Sequence, residues 1–303
     1  TVASTNRAEN QVMAARARLL ATEQQVFANV VTAYVNVIQN QQLVALNASN
    51  VQVLNRQLQA TNDRFRVGEI TQTDVAQAQA ALAGAQAQLA TAQGNLQTAR
   101  ASFRQYVGEL PGDLVEPQPL KPPVNSQTEV VQFAANNNPN VVAALFDDAA
   151  GKDAVDVAFS QLMPNLSLSG TGARMNNAQL PSTQQTYTQA LVTLSVPIYQ
   201  GGSEYAAVRQ AKQQEQQLRK TVDDQRRTAM QQAAQAWETL VAARATIQST
   251  QAQIRANEVA LSGVEREALL GTRTTLDVLN AQQTLLNSRQ TLIQNLAALV
   301  TAS

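Results

Sequence analysis

Residues 64–82 (RFRVGEITQTDVAQAQAAL) and 267–285 (EALLGTRTTLDVLNAQQTL) align without a gap. They agree at Gly68/Gly271, Thr71/Thr274, Asp74/Asp277, Val75/Val278, Ala78/Ala281, Gln79/Gln282 and Leu82/Leu285, always 203 positions apart. The same offset pairs Tyr34 with Trp237, the only tryptophan. A repeat of this length constrains the fold before composition does. One helical hairpin occurs twice, and the residues between the copies belong to something else.

The helical reading rests on periodicity. Residues 1–66 contain no proline and no glycine, and Val26, Val30, Ala33, Val37, Val44, Val51, Leu54, Leu58 and Phe65 recur at alternating spacings of three and four. Asn40, Asn47 and Thr61 fill the gaps, so the segment reads as a heptad seam interrupted by polar residues. A continuous helix of about 60 residues would be about 90 Å long at about 1.5 Å per residue, too long for a compact globule. Gly68 ends it, and Thr71 with Asp74 makes a capping-box pattern for the next helix. That helix carries a cleaner stripe: Val75, Ala78, Leu82, Ala85, Leu89, Ala92, Leu96, Ala99 and Phe103. Its opposite face is rich in glutamine and uncharged, suited to a hydrated wall or to a solvated coiled coil.

The middle of the chain changes texture. Residues 107–125 hold Pro111, Pro117, Pro119, Pro122 and Pro123, which predicts a rigid non-helical connector, drawn over 107–138. Helix resumes after Asn138-Pro139 and runs to about Ser160. From Pro164 to Met175 and from Tyr187 to Val196 the period is two, with Leu166, Leu168, Ala190, Val192 and Leu194 opposed to Ser167, Ser169, Gln189, Leu191, Thr193 and Ser195. Strands of about 10 residues match transmembrane barrel strands in length and alternation, a pattern soluble hairpins share. Tyr187, Tyr199 and Phe159 lie near the strand ends as candidates for an interfacial girdle. Five segments follow: 1–106, first long hairpin; 107–138, connector; 139–160, helix; 161–200, β-hairpin; 201–303, second long hairpin.

Composition removes most chemistry. There is no cysteine and no histidine, which excludes thiolate nucleophiles, imidazole ligands and any Ser-His or Cys-His pair. No acidic cluster has Ca²⁺-loop spacing, and no cofactor or enzymatic activity is expected. The net charge of +0 gives no basic surface for nucleic acid. No run of about 18 apolar residues is present, so any membrane insertion is by strands. The offset aligns Thr1 with Glu204, just after Gly201-Gly202. A matching helix and hairpin are therefore expected upstream of Thr1, and the resulting four strands would have to be pooled among several protomers to close a barrel.

The chain resembles the TolC family of outer membrane efflux proteins over essentially its whole length. The likeness rests on VGEITQTDV (67–75), LGTRTTLDV (270–278), NNPNV (137–141) and VPIYQGG (196–202). The resemblance implies a mainly α fold with a β-hairpin: long antiparallel helical hairpins forming a periplasmic α-barrel, and strands given to a trimeric, twelve-stranded barrel in outer membrane lipid. It implies a homotrimer that takes drugs or type I secreted proteins from an inner-membrane transporter through a periplasmic adaptor.

The family's closed entrance falls at the two repeated turns, which places Thr73, Asp74, Arg273, Asp277 and Asn280 there. Where the family often has a second acidic residue this chain has Asn280, so a trimer would carry one ring of carboxylates, from Asp277. Crowded like charges still favour cations. A family tyrosine falls at Ala268, and Arg273 remains to bridge to Asp74 or Thr73 of a neighbouring hairpin. Capping alone also accounts for an Asp in both repeats, and Arg273 also reads as a solvated turn residue. Gly68 and Gly271 read as helix C-caps that shape the tips. The competing function is a poreless periplasmic coiled-coil adaptor or scaffold.

Overall fold

A computed structural model describes residues 2–120, 126–176 and 184–303. In chain order the elements are α1 (Val2–Arg66), α2 (Gln72–Val107), α3 (Gln127–Asn137), α4 (Pro139–Ser160), β1 (Asn165–Asn176), β2 (Gln184–Ser195), α5 (Ser203–Leu269) and α6 (Thr275–Ala302). The 65 residues of α1 and the 67 of α5 are each one uninterrupted helix. Among the described residues no helix is long and apolar enough to cross a membrane.

The chain divides into two compact units. One contains residues 1–21 and 132–230; the other contains 22–131 and 231–303. The first unit is centred on α4. Asn138, extended at ψ 127°, caps it by accepting from the Asn140 N–H at 2.9 Å, and Pro139 occupies the first turn where no amide is needed. Asn10 Nδ2 on α1 donates to Asp153 Oδ2 at 2.8 Å, and Arg18 pairs with Asp147. Gly151 of α4 meets α5 so closely that a Cβ there would lie 2.7 Å from Leu218 Cδ1.

The strands pair antiparallel in one two-stranded sheet, with Leu166 opposite Leu194, Leu168 opposite Val192 and Ser169 opposite Leu191. Residues opposite one another share a face, so the register gathers Leu166, Leu168, Ala190, Val192 and Leu194 on one side, as the alternation predicts. Tyr187 pairs with Ala173 on the other, polar side. It is removed from any girdle on the apolar face, because odd-numbered residues of β2 point away from that face. Tyr199 is 79% exposed and Phe159 is 50% exposed. β2 begins at Gln184, three residues before the alternation that starts at Tyr187, and residues 177–183 lie outside the described residues.

In the second unit α2 buries Val75, Ala78, Ala85, Ala92, Leu96, Ala99 and Phe103, the stripe its sequence predicts. Ala33 and Val37 of α1 pack with Leu96, Ala99 and Phe103, and the Tyr34 and Phe103 rings lie 6.4 Å apart. The α1 seam departs from expectation at Val26 and Phe65, which are exposed. The pairing of α5 with α6 is more polar. Asn257 Nδ2 donates to Ser288 Oγ at 3.2 Å, Asn295 Nδ2 to Thr250 Oγ1 at 3.3 Å, and Arg289 pairs with Glu258 at 2.7 Å. Leu279 of α6 also packs with Leu54 of α1 and Ala85 of α2, so α6 touches both hairpins.

One expectation about the connector is corrected. Non-helical chain was drawn to Asn138, yet Gln127–Asn137 is helical. This stretch is free of proline, and Ser126 Oγ accepts from the Glu129 N–H at 3.3 Å, an S-x-x-E start that proline density nearby obscured. The proline-rich part is fixed to α1 through Tyr34, whose hydroxyl donates to Val115 O at 2.7 Å and accepts from Val115 N–H at 2.9 Å.

Candidate functional site

Both repeated turns have one backbone design. In the first, Gly68 has φ +80°, its N–H donates to Phe65 O at 3.0 Å, and Glu69 N–H donates to Arg64 O at 3.0 Å. In the second, Gly271 has φ +77°, its N–H donates to Ala268 O at 3.2 Å, and Thr272 N–H donates to Glu267 O at 3.0 Å. This is the Schellman ending, in which a left-handed residue lets two amides reach back to the last carbonyls. Glycine carries it without the Cβ penalty. The positions just before the glycines, Val67 and Leu270, are 72% and 80% exposed.

The next helix then begins identically in both. Thr71 N–H and Oγ1 donate to Asp74 Oδ2 at 3.0 and 2.7 Å, and Thr71 Oγ1 accepts from Asp74 N–H at 3.4 Å. Thr274 N–H and Oγ1 donate to Asp277 Oδ2 at 2.9 and 2.8 Å, and Thr274 Oγ1 accepts from Asp277 N–H at 3.2 Å. These are complete capping boxes, built with Asp in the third helical position. The Thr71 hydroxyl first, and then its backbone N–H, holds the Asp74 carboxyl below its ordinary value. For Asp277 the Thr274 backbone N–H comes first and the hydroxyl second, with the same direction. All the donors to each carboxylate land on Oδ2. Among the described residues none of these capping bonds uses Oδ1, so capping does not consume the whole carboxylate.

Arg273 donates from Nε to Glu267 Oε2 at 2.9 Å, across its own turn, and that bond raises its pKa. Within this chain it touches neither Thr73 nor Asp74. Thr73 is exposed in the first turn of α2, and Asn280 is exposed on α6. Ala268 is 7% exposed. Sequence reasoning missed Glu267, although the first repeat carried a signal: Arg64 and Glu69 span the same turn, with Nε to Oε2 at 3.0 Å. Among the described residues no group of three or more acidic side chains converges as a metal site.

The described residues thus combine long helices, one small antiparallel hairpin and duplicated hydrogen-bonded tips. The profile of the outer membrane efflux protein family matches residues 1–109 and 130–303. The outer membrane efflux protein BepC of Brucella suis biovar 1 (strain 1330) is 35% identical over 297 residues, covering 98% of this chain and 65% of BepC. Outer membrane protein TolC of Salmonella enteritidis is 25% identical over 276 residues, covering 87% of this chain and 56% of that protein. A solved membrane protein from Pseudomonas aeruginosa superposes with a TM-score of 0.87 at 19% identity, over 99% of this chain and 70% of its own. The chain belongs to the outer membrane efflux protein family, and it is an outer membrane protein by that membership. It spans less than two thirds of the length of these two relatives.

Proposed function

We propose that this chain forms part of an outer membrane exit duct for drugs or secreted proteins. The observation that carries it is the β1–β2 hairpin, whose apolar face is wholly exposed: Leu166 69%, Leu168 77%, Val192 65% and Leu194 64%. Each strand has one neighbour only among the described residues. Lipid tolerates no open sheet edge, so the hairpin needs strands from further copies to close around a pore. In this assembly three copies pool their strands in outer membrane lipid, and the hairpins α1/α2 and α5/α6 wall the periplasmic part. An inner-membrane transporter loads the duct through a periplasmic adaptor that meets the tips at Gly68 and Gly271.

At those tips Asp277, with Asp74, Thr73, Arg273 and Asn280 nearby in sequence or repeat position, lines the entrance. A single ring of Asp277 carboxylates raises the local concentration of cations. The duct supplies passage and no bond-making chemistry. The family match and the exposed hairpin favour a pore over a poreless adaptor. Planar-bilayer recording of the full-length protein tests it: discrete cation-preferring conductance is expected. A correctly assembled protein that never conducts would overturn the duct and leave the scaffold.

A further inference from the structure

A cavity of about 290 Å³ opens in the second unit between α1, α5 and α6. Its apolar lining includes Leu46, Leu261 and Leu286. Three polar groups set its electrostatics. Gln282 is 8% exposed, and its Oε1, sealed from solvent, has no hydrogen-bond partner among the described residues. The exposed Glu265 makes no ion pair among the described residues. Arg289, on the same wall, is neutralised by Glu258 at 2.7 Å. The cavity therefore offers an apolar body, an unfilled acceptor and an uncompensated negative charge. Gln79, the repeat partner of Gln282, is exposed, so the buried acceptor is particular to the second copy.

We propose that this cavity is a binding site for small amphiphilic amines, a protonated primary amine on a short apolar stem. An ammonium has three donors and no acceptor. It can give one N–H to the exposed Glu265 carboxylate and, once the Gln282 side chain turns into the cavity, another to Gln282 Oε1, while its stem lies against the leucines. A buried acceptor without a partner gains from any donor that enters, and a charged donor gains most. Pockets for small ligands commonly combine this kind of apolar wall with a few placed polar groups, at volumes from about 300 Å³ upward.

Calorimetric titration of the full-length protein with octylammonium, octyltrimethylammonium and octanol tests the site. Octylammonium is expected to bind at least about tenfold more tightly than either comparison ligand, since one lacks N–H donors and the other lacks charge. Glu265→Gln should weaken it about tenfold, and Gln282→Leu should do the same. Equal affinity for the three ligands, or octylammonium binding untouched by Glu265→Gln, would overturn the site. Glu265 is exposed, so its variant reports even if Gln282→Leu does not fold. The titration does not depend on conductance: loss of the amine site with channels intact sinks this proposal alone, and absent channels sink only the duct.

Discussion

Arg273 and Glu267 are joined at 2.9 Å across the turn between α5 and α6, and the corresponding pair in the first repeat is reversed. There the helix supplies the cation, Arg64, and the turn supplies the anion, Glu69. Position 64 corresponds to 267, whereas Glu69 corresponds to Thr272 and Arg273 to Ile70, so the two clasps share the helix end and differ by one position at the turn end. The two turns share their backbone and differ in the sign of the charge held at the apex. An interchange of both partners, Glu267→Arg with Arg273→Glu, should leave the melting temperature near that of the wild type. Either single change should lower it slightly, and the loss should vanish at high salt, because the pair is about half exposed. A large, salt-resistant loss in the double variant would show that the orientation itself matters.

Gly68 and Gly271 isolate a backbone effect. A Cβ at either position meets no atom within 4 Å. Alanine there costs only the left-handed conformation, about 1–2 kcal/mol. Asn should cost less than Ala, since Asn tolerates that region better. Chemical denaturation of the two series checks this, and equal costs for Ala and Asn would count against it.

Acid sensitivity should differ between the capping boxes. Both Asp74 and Asp277 have folded pKa values below the ordinary carboxylate range. A depressed folded pKa means stability that is present above the unfolded value of about 3.9 and lost as pH falls through the folded value. The Thr71 hydroxyl is the largest cause for Asp74, whereas for Asp277 the backbone N–H of Thr274 leads. Thr71→Ala should therefore flatten the acid limb of a melting-temperature profile more than Thr274→Ala. The reverse order would refute the assignment of causes.

The Oδ1 of Asp277, which none of the capping bonds uses, separates capping from charge. Asp277→Asn keeps a side-chain oxygen able to accept from the Thr274 N–H but removes the negative charge. Reversal potentials across a salt gradient should show weakened cation preference, with a melting temperature close to the wild type. Unchanged selectivity in a stably folded variant would remove Asp277 from the entrance.

The hairpin's two faces should respond oppositely. Val192 lies on the apolar face opposite Leu168, and Thr193 lies on the polar face opposite Ser167. Arginine on the lipid side of a barrel costs about 2–4 kcal/mol at mid-bilayer. Val192→Arg should reduce assembly into lipid vesicles, while Thr193→Arg should leave it near normal. Equal tolerance of both would mean that neither face meets lipid.

The legible parts of this fold were those governed by local repetition. The α2 stripe, the strand register and both caps follow from spacings of seven, two and three residues. The hidden parts depend on distant partners. Periodicity marks a seam on α6 but cannot announce that Leu279 packs with Leu54 and Ala85 while Gln282 is buried nearby. Turn chemistry brings Arg273 to the apex, but choosing Glu267 over Asp277 or Asp74 needs coordinates. Helix α3 was missed for a different reason: the prolines before it suppressed a start signal, Ser126 with Glu129, that the sequence did contain.

The Tyr34 phenol bonds both the N–H and the C=O of Val115, as a neighbouring β-strand would bond one residue. The connector is thus keyed to α1 at Val115, with Gln42 Nε2 donating to Glu116 Oε1 at 3.0 Å beside it. A slip of one residue forfeits donor and acceptor together, so the chain leaving α2 is measured off at Val115 without a sheet to do it.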